Sequence, residues 1–129
     1  MILRSICVVA AVIVTGSHGR AVEKTMSINF VGDWCYSSQE SKTTSYTLPS
    51  WTEGGRCSKI LSIEQYSFYG EGRHCEPVSV RFTTNTAPSG TAYIARVTAS
   101  CQPDGPVTAG KIQSFEFNRY KGNLSVTTK

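Results

Sequence analysis

The sequence predicts an all-β protein, a small antiparallel meander closed into an up-and-down β-barrel and stapled by disulfides. Three observations predict it. Short segments with alternating apolar residues recur between turn signals about every 8 to 15 residues. No stretch beyond the N-terminal leader has a helical period. Four widely spaced cysteines remain once that leader is set aside. A flat sheet of six or seven strands would leave two open edges, which closure removes, so a barrel is expected over a sandwich. Seven strands are few for closure, and the Arg20–Ser27 tail or the region around Thr108 is a candidate for one more.

The organising stretch is Ile28–Tyr36, in which Ile28, Phe30, Trp34 and Tyr36 share one parity of a half-buried strand. Gly32 falls on the same parity, a side-chain gap that marks a bulge, a sharp bend or a close approach to backbone. The residues before it, Arg20–Ser27, are polar and without period, a tail expected to fray. Ser37–Lys42 is polar and reads as a loop, followed by a second strand over Thr43–Leu48 that Pro49 ends. Gly54-Gly55 is a turn signal.

A third strand runs from Ile60 to Phe68. Its apolar parity changes at Glu64-Gln65, for which a bulge is the economical explanation. Gly70–His74 is a hairpin turn, and Val78, Val80 and Phe82 alternate through a fourth strand that begins after Pro77. Ala87–Gly90 turns the chain into a fifth strand with Tyr93, Ala95, Val97, Ala99 and Cys101 on one face. Reflection about Pro88 brings Cys75 near Cys101, and matching Val80 to Val97 requires a one-residue bulge. Gln102–Pro106 is a turn cluster. A sixth strand spans Lys111–Tyr120, with Phe115, Phe117 and Arg119 on one parity, and Lys121-Gly122 turns it into the last strand, Leu124–Val126.

Residues 1–19 read as a secretory signal peptide, with Arg4 as its positive start, an apolar run from Ile6 to Val14, and small residues Ser17 and Gly19 before a cut. The run is about half the roughly twenty apolar residues needed to span a bilayer. Residues 20–129 then form one domain. Without Arg4, 12 of the 13 basic residues remain against 9 acidic ones, a net charge of +3, and they are scattered. A solvated surface is the expectation, not a nucleic-acid interface.

Cys35, Cys57, Cys75 and Cys101 survive processing, and Cys7 leaves with the leader. An even count without a Cys-x-x-Cys reads as two structural disulfides rather than a zinc or redox site. Three connectivities are possible. Cys35 to Cys57 with Cys75 to Cys101 is preferred because each closes a local unit of the meander.

Phe30-Val31-Gly32-Asp33-Trp34 resembles the Gly-x-Trp opening of the lipocalin and fatty-acid-binding barrels. In those families a basic residue from a late strand lies over the Trp, and the resemblance gives that part to Arg119, through a cation–π contact. It implies architecture and no particular ligand. The whole pattern of Gly-x-Trp-Cys and three further spaced cysteines is also similar to small exported proteins of soil bacteria of unknown function, a likeness that implies no activity.

Glu71, His74 and Glu76 carry metal-ligand side chains but sit in a turn without a third strong ligand in spacing, so a solvated turn is expected. His74 is the sole histidine after the leader, and no serine stands in a nucleophile-elbow context. Asn123-Leu124-Ser125 matches a glycosylation acceptor, a match that carries little weight here. Enzyme activity, a metal and a cofactor are not expected. Trp51 and Tyr69 adjoin glycine-containing turns outside their strands' alternation, and are the residues expected to offer a binding surface; the other aromatics are expected in the core.

The expected function is therefore that of a secreted or periplasmic, monomeric, non-catalytic module holding a small apolar ligand inside the barrel, where Ala95 and Ala99 leave space. The alternative is an extracellular protein-interaction module, such as an enzyme inhibitor acting through its loops. A purely structural envelope role is a third possibility. No nucleic-acid partner is expected, and no membrane association after cleavage.

Overall fold

The structure, a computed structural model, describes residues 23–51, 56–103 and 110–129. The leader at 1–19, the Gly54-Gly55 turn signal and the region around Thr108 lie outside them. Eight strands form: β1 (Gly32–Glu40), β2 (Thr43–Thr47), β3 (Ile60–Ile63), β4 (Phe68–Gly70), β5 (Arg73–Ala87), β6 (Gly90–Pro103), β7 (Lys111–Tyr120) and β8 (Asn123–Thr128). They close into an antiparallel barrel in the order β1-β2-β8-β7-β6-β5-β4-β3, so every strand has two neighbours. Both disulfides of the preferred connectivity, Cys35–Cys57 and Cys75–Cys101, are present. No helix among the described residues is long and apolar enough to cross a membrane.

The eighth strand comes from neither expected source. The change of apolar parity at Glu64-Gln65 is a chain reversal, not a bulge. Glu64 N–H donates to the Ser67 carbonyl at 2.7 Å, and β3 and β4 pair antiparallel through Ser62 with Tyr69 and Ile63 with Phe68. A bulge and a tight hairpin both swap the inward parity, so alternation alone does not separate them.

The first strand also shifts. Residues 27–31 make two successive tight turns, with Phe30 N–H on the Ser27 carbonyl and Val31 N–H on the Ile28 carbonyl, so Ile28 is 79% exposed rather than inward. Gly32 then takes φ +137°, open on its Cβ side, a conformation that any side chain would strain. Its gap is the sharp bend from turn to strand. At the other end, β1 continues through Ser37–Glu40, and the turn is Ser41-Lys42 alone. Those polar side chains are exposed while their backbone pairs with β2.

The segment expected to fray is tied down from Glu23 on. Met26 is buried, its N–H donating to the Gln65 carbonyl at 2.8 Å, and Glu23 bridges Val80. The fourth strand starts at Arg73, before Pro77, which sits at a register shift between Pro77 and Ser79 where its missing N–H costs no ladder bond. That shift is the one-residue irregularity needed to hold Cys75 against Cys101 and Val80 against Val97 together. Val78, at the shift, is 39% exposed and Val80 is buried, while Phe82, on the parity of Val80, is 40% exposed. The fifth strand continues to Pro103, into the expected turn cluster.

One connection departs from nearest-neighbour order. β2 closes against β8, and β1 lies between β2 and β3, so these two strands, consecutive in sequence, are not neighbours. Cys35 has the parity opposite to Trp34 and so faces away from the interior, yet is buried. Its disulfide to Cys57, with Tyr36 N–H donating to the Lys59 carbonyl at 2.9 Å, fastens the connecting segment onto β1.

The core is aromatic. Phe68 packs edge to face on Phe115 and Phe117 with centroids 5.4 and 5.1 Å apart, and Phe30 on Phe117 at 6.1 Å. Ala95, cross-strand from both Phe82 and Phe117, is a small buried side chain between those two rings.

Candidate interaction surface

Trp34 sits inside the barrel at the end where β1 begins, fully buried. Its Nε1–H donates to the Phe30 carbonyl at 2.9 Å, and the Arg119 guanidinium lies over its ring at 5.0 Å. Arg119 also donates from Nη1 to the Asn29 carbonyl at 2.6 Å and from Nε to the Lys121 carbonyl at 2.9 Å. The two side chains thus satisfy carbonyls that the 27–31 turns leave unpaired, and hold Phe30 in the barrel as a plug.

The opposite end is closed by polar groups. Tyr46 OH donates to the Glu71 carboxylate at 3.2 Å, and Arg73 lies over the Phe115 ring at 5.1 Å while donating to Gln113 at 2.9 Å. Burial, reinforced by the Glu71 charge, pushes the Tyr46 phenol well above its ordinary range. Just inside these groups, beside Tyr46, Phe68, Phe115 and Phe117, the structure holds a cavity of about 20 Å³, space for a single water.

Polar and aromatic side chains converge instead on the outer face. Antiparallel pairing sets Asp33 beside Ser62, Ser62 beside Tyr69, and Tyr69 beside His74, one row across four strands. Ser62 Oγ donates to Asp33 Oδ1 at 2.8 Å, Tyr69 OH donates to Glu64 Oε1 at 3.2 Å, and the Tyr69 and His74 rings meet edge to face at 5.8 Å. The bond to Glu64 raises the Tyr69 phenol above its ordinary value. With Ile60, Glu64 and Glu71 this row lines an open groove of about 750 Å³. Ser62 Oγ–H is directed to the Asp33 carboxylate and not to the imidazole, so the row sets donors and acceptors around an exposed ring.

Of the residues singled out from sequence, Tyr69 lies in this groove and is 43% exposed. Trp51 is 57% exposed but stands elsewhere, its ring flat against Gly122 in the β7–β8 turn, where a Cβ would meet ring atoms at 2.6 Å. Tyr66, expected in the core, is exposed at the β3–β4 turn. Glu71, His74 and Glu76 part company: Glu71 reaches Tyr46, His74 faces Tyr69, and Glu76 pairs across to Ser100. Asp33 and Ser62 escaped the sequence reading. Their outward parity was visible, but that β1 and β3 are neighbours was not.

Fold and site define a small, disulfide-stapled, closed antiparallel β-barrel with a filled interior and a polar-aromatic groove on its wall. Comparison of the chain with family models, with curated proteins and with solved structures found no match.

Proposed function

We propose that this chain is an exported, non-catalytic protein-interaction module that uses the outer groove around Tyr69. The observation that carries the reading is the interior cavity of about 20 Å³, against the several hundred Å³ that enclose a small organic ligand. The barrel expected to hold a small apolar ligand inside would need the Phe68, Phe115 and Phe117 rings to move apart. Export rests on the leader pattern at 1–19 and fits a chain with two disulfides.

The groove's chemistry suits a cationic partner surface. Asp33, Glu64 and Glu71 line it, and the one ion pair among the described residues is Arg96 with Glu116, on another part of the barrel. Tyr69 and Ile60 add an exposed ring and an apolar edge to those charges, the mixture that interface centres use.

The test has two arms. Purified mature protein is titrated with an apolar fluorophore such as anilinonaphthalene sulfonate, and immobilised protein is used to capture extracellular proteins. Expected are no saturable apolar binding and a captured partner that Tyr69→Ala and Asp33→Asn release while the melting curve is unchanged. A saturable one-to-one apolar ligand, or capture indifferent to both substitutions, would overturn the reading.

A further inference from the structure

Two arginines stand directly opposite each other on the outer wall. Pairing of β5 with β6 sets Arg81 against Arg96 and, in the next row of the same face, Ser79 against Thr98. The β6–β7 ladder extends these two rows to Glu116 and Ser114. Lys129, next after β8, donates its N–H to the Ser114 carbonyl at 2.8 Å and so continues the hydroxyl row. Together Ser79, Arg81, Arg96, Thr98, Ser114 and Lys129 line a groove of about 340 Å³ that shares no residue with the one around Tyr69.

Like charges directly opposed across two strands are destabilising. The one ion pair among the described residues, Arg96 Nε with Glu116 Oε1 at 3.4 Å, answers one of the two charges and uses one donor of its guanidinium. The terminal nitrogens of Arg96 are left over, on a side chain that is 75% exposed, and Arg81 is exposed beside it. An anion seated between the two guanidiniums turns their repulsion into two attractions.

The donors select the kind of anion. Ser79, Thr98, Arg81 and Arg96 form a rectangle ~5 Å across the strands and ~7 Å along them. Two guanidinium forks and two hydroxyls outnumber the roughly four acceptor sites of a carboxylate. A tetrahedral oxyanion ester, with three terminal oxygens, accepts from both forks and from the hydroxyls as well. Past the rectangle the groove runs on along Ser114. Phe115, its one aromatic lining residue, is buried, so there is no ring face on which a base could stack. What remains there is hydroxyl chemistry, which suits the hydroxyls of a sugar.

We propose that this groove binds a sugar carrying a phosphate or sulfate ester, with the ester between Arg81 and Arg96 and the sugar along Thr98 and Ser114. The inference does not depend on the groove around Tyr69. Residues scattered along the sequence supply the charge, and the β5–β6 register brings them together.

The test is titration calorimetry of the protein with both disulfides formed, at low salt and without phosphate or sulfate in the buffer. The probes are glucose 6-phosphate, glucose 6-sulfate, glucuronate and inorganic phosphate. At least one sugar ester should bind saturably, and the tighter of the two names the source of the oxyanion. Glucuronate and inorganic phosphate should each bind about threefold more weakly or worse, lacking the third oxygen and the sugar respectively. Arg81→Gln and Arg96→Gln should each weaken ester binding by about tenfold or more. Lys121→Gln, which removes the same charge at the β7–β8 turn, should leave it unchanged. Near-ultraviolet circular dichroism verifies each fold, and Arg81→Gln, which relieves the opposed charges, should not lower Tm. Absence of saturable ester binding, esters held no tighter than glucuronate or inorganic phosphate, arginine variants that bind like the wild type, or an equal loss in Lys121→Gln would overturn the proposal.

Discussion

Arg119 lies over the ring of Trp34 at 5.0 Å and, from the same guanidinium, donates to the Asn29 carbonyl at 2.6 Å. A residue ninety positions downstream thereby clamps the turn that precedes the first strand. The planar group is used twice, as a stacking surface and as a hydrogen-bond fork.

Arg119→Lys should cost about 1 to 2 kcal/mol, because the ammonium keeps the charge but loses the stacking plane and one of two carbonyl bonds. Lys121→Ala, one turn away, should stay within about 0.5 kcal/mol. Denaturant melts compare them, and equal costs would deny the clamp its role.

Trp34→Ala empties a fully buried position inside the barrel and should cost about 3 to 5 kcal/mol, a large part of the roughly 5 to 15 kcal/mol that a domain this size has. Trp51→Ala removes a ring that is 57% exposed and should cost under about 2 kcal/mol. Melts in which the two variants coincide would remove Trp34 as the anchor of the core.

Gly122→Ala places a methyl where Trp51 ring atoms stand at 2.6 Å, although the residue's backbone φ is not in the left-handed region. It should destabilise the wild type by about 1 kcal/mol or more and be nearly silent when Trp51 is already Ala. A double-mutant cycle reads this coupling, and additive costs would show that the ring does not rest on the glycine.

The Tyr46 phenol keeps its proton above the ordinary tyrosine range, near 10, because it is buried and faces Glu71. In the unfolded chain it releases that proton at its ordinary value. The folded state then binds more protons than the unfolded one, so this group's contribution is complete below that range and falls as pH rises through it. Tyr46→Phe should flatten the alkaline decline in stability and delete the last tyrosine to ionise in an ultraviolet titration. An unchanged titration would show that Tyr46 is not the retarded group.

The hairpin around Pro88 was legible in outline. Two-residue turns and period-two alternation are local properties, so reflection about Pro88 gave Cys75 with Cys101 and a one-residue irregularity for Val80 with Val97, while its place between Pro77 and Ser79, and the start of the strand at Arg73, came from the structure. The inward faces of β6 and β7 were legible for the same reason. Glu64-Gln65 was not, since a bulge and a reversal produce the same swap of parity, and only the pairing of Ile63 with Phe68 distinguishes them.

The residues by themselves determined an all-β chain and its buried faces from Tyr93 to Val126, and they favoured one disulfide connectivity of three, because alternation, turn chemistry and the reach of a hairpin act over short separations in sequence. The tertiary structure alone decided that β2 rather than β1 closes against β8, that the cavity beside the aromatic rings is about 20 Å³, and that Asp33, Ser62, Tyr69 and His74 form one row. Each depends on which strands lie side by side around the closed barrel, and on how side chains from distant segments fill one volume. Neither is a property of any stretch of sequence taken alone.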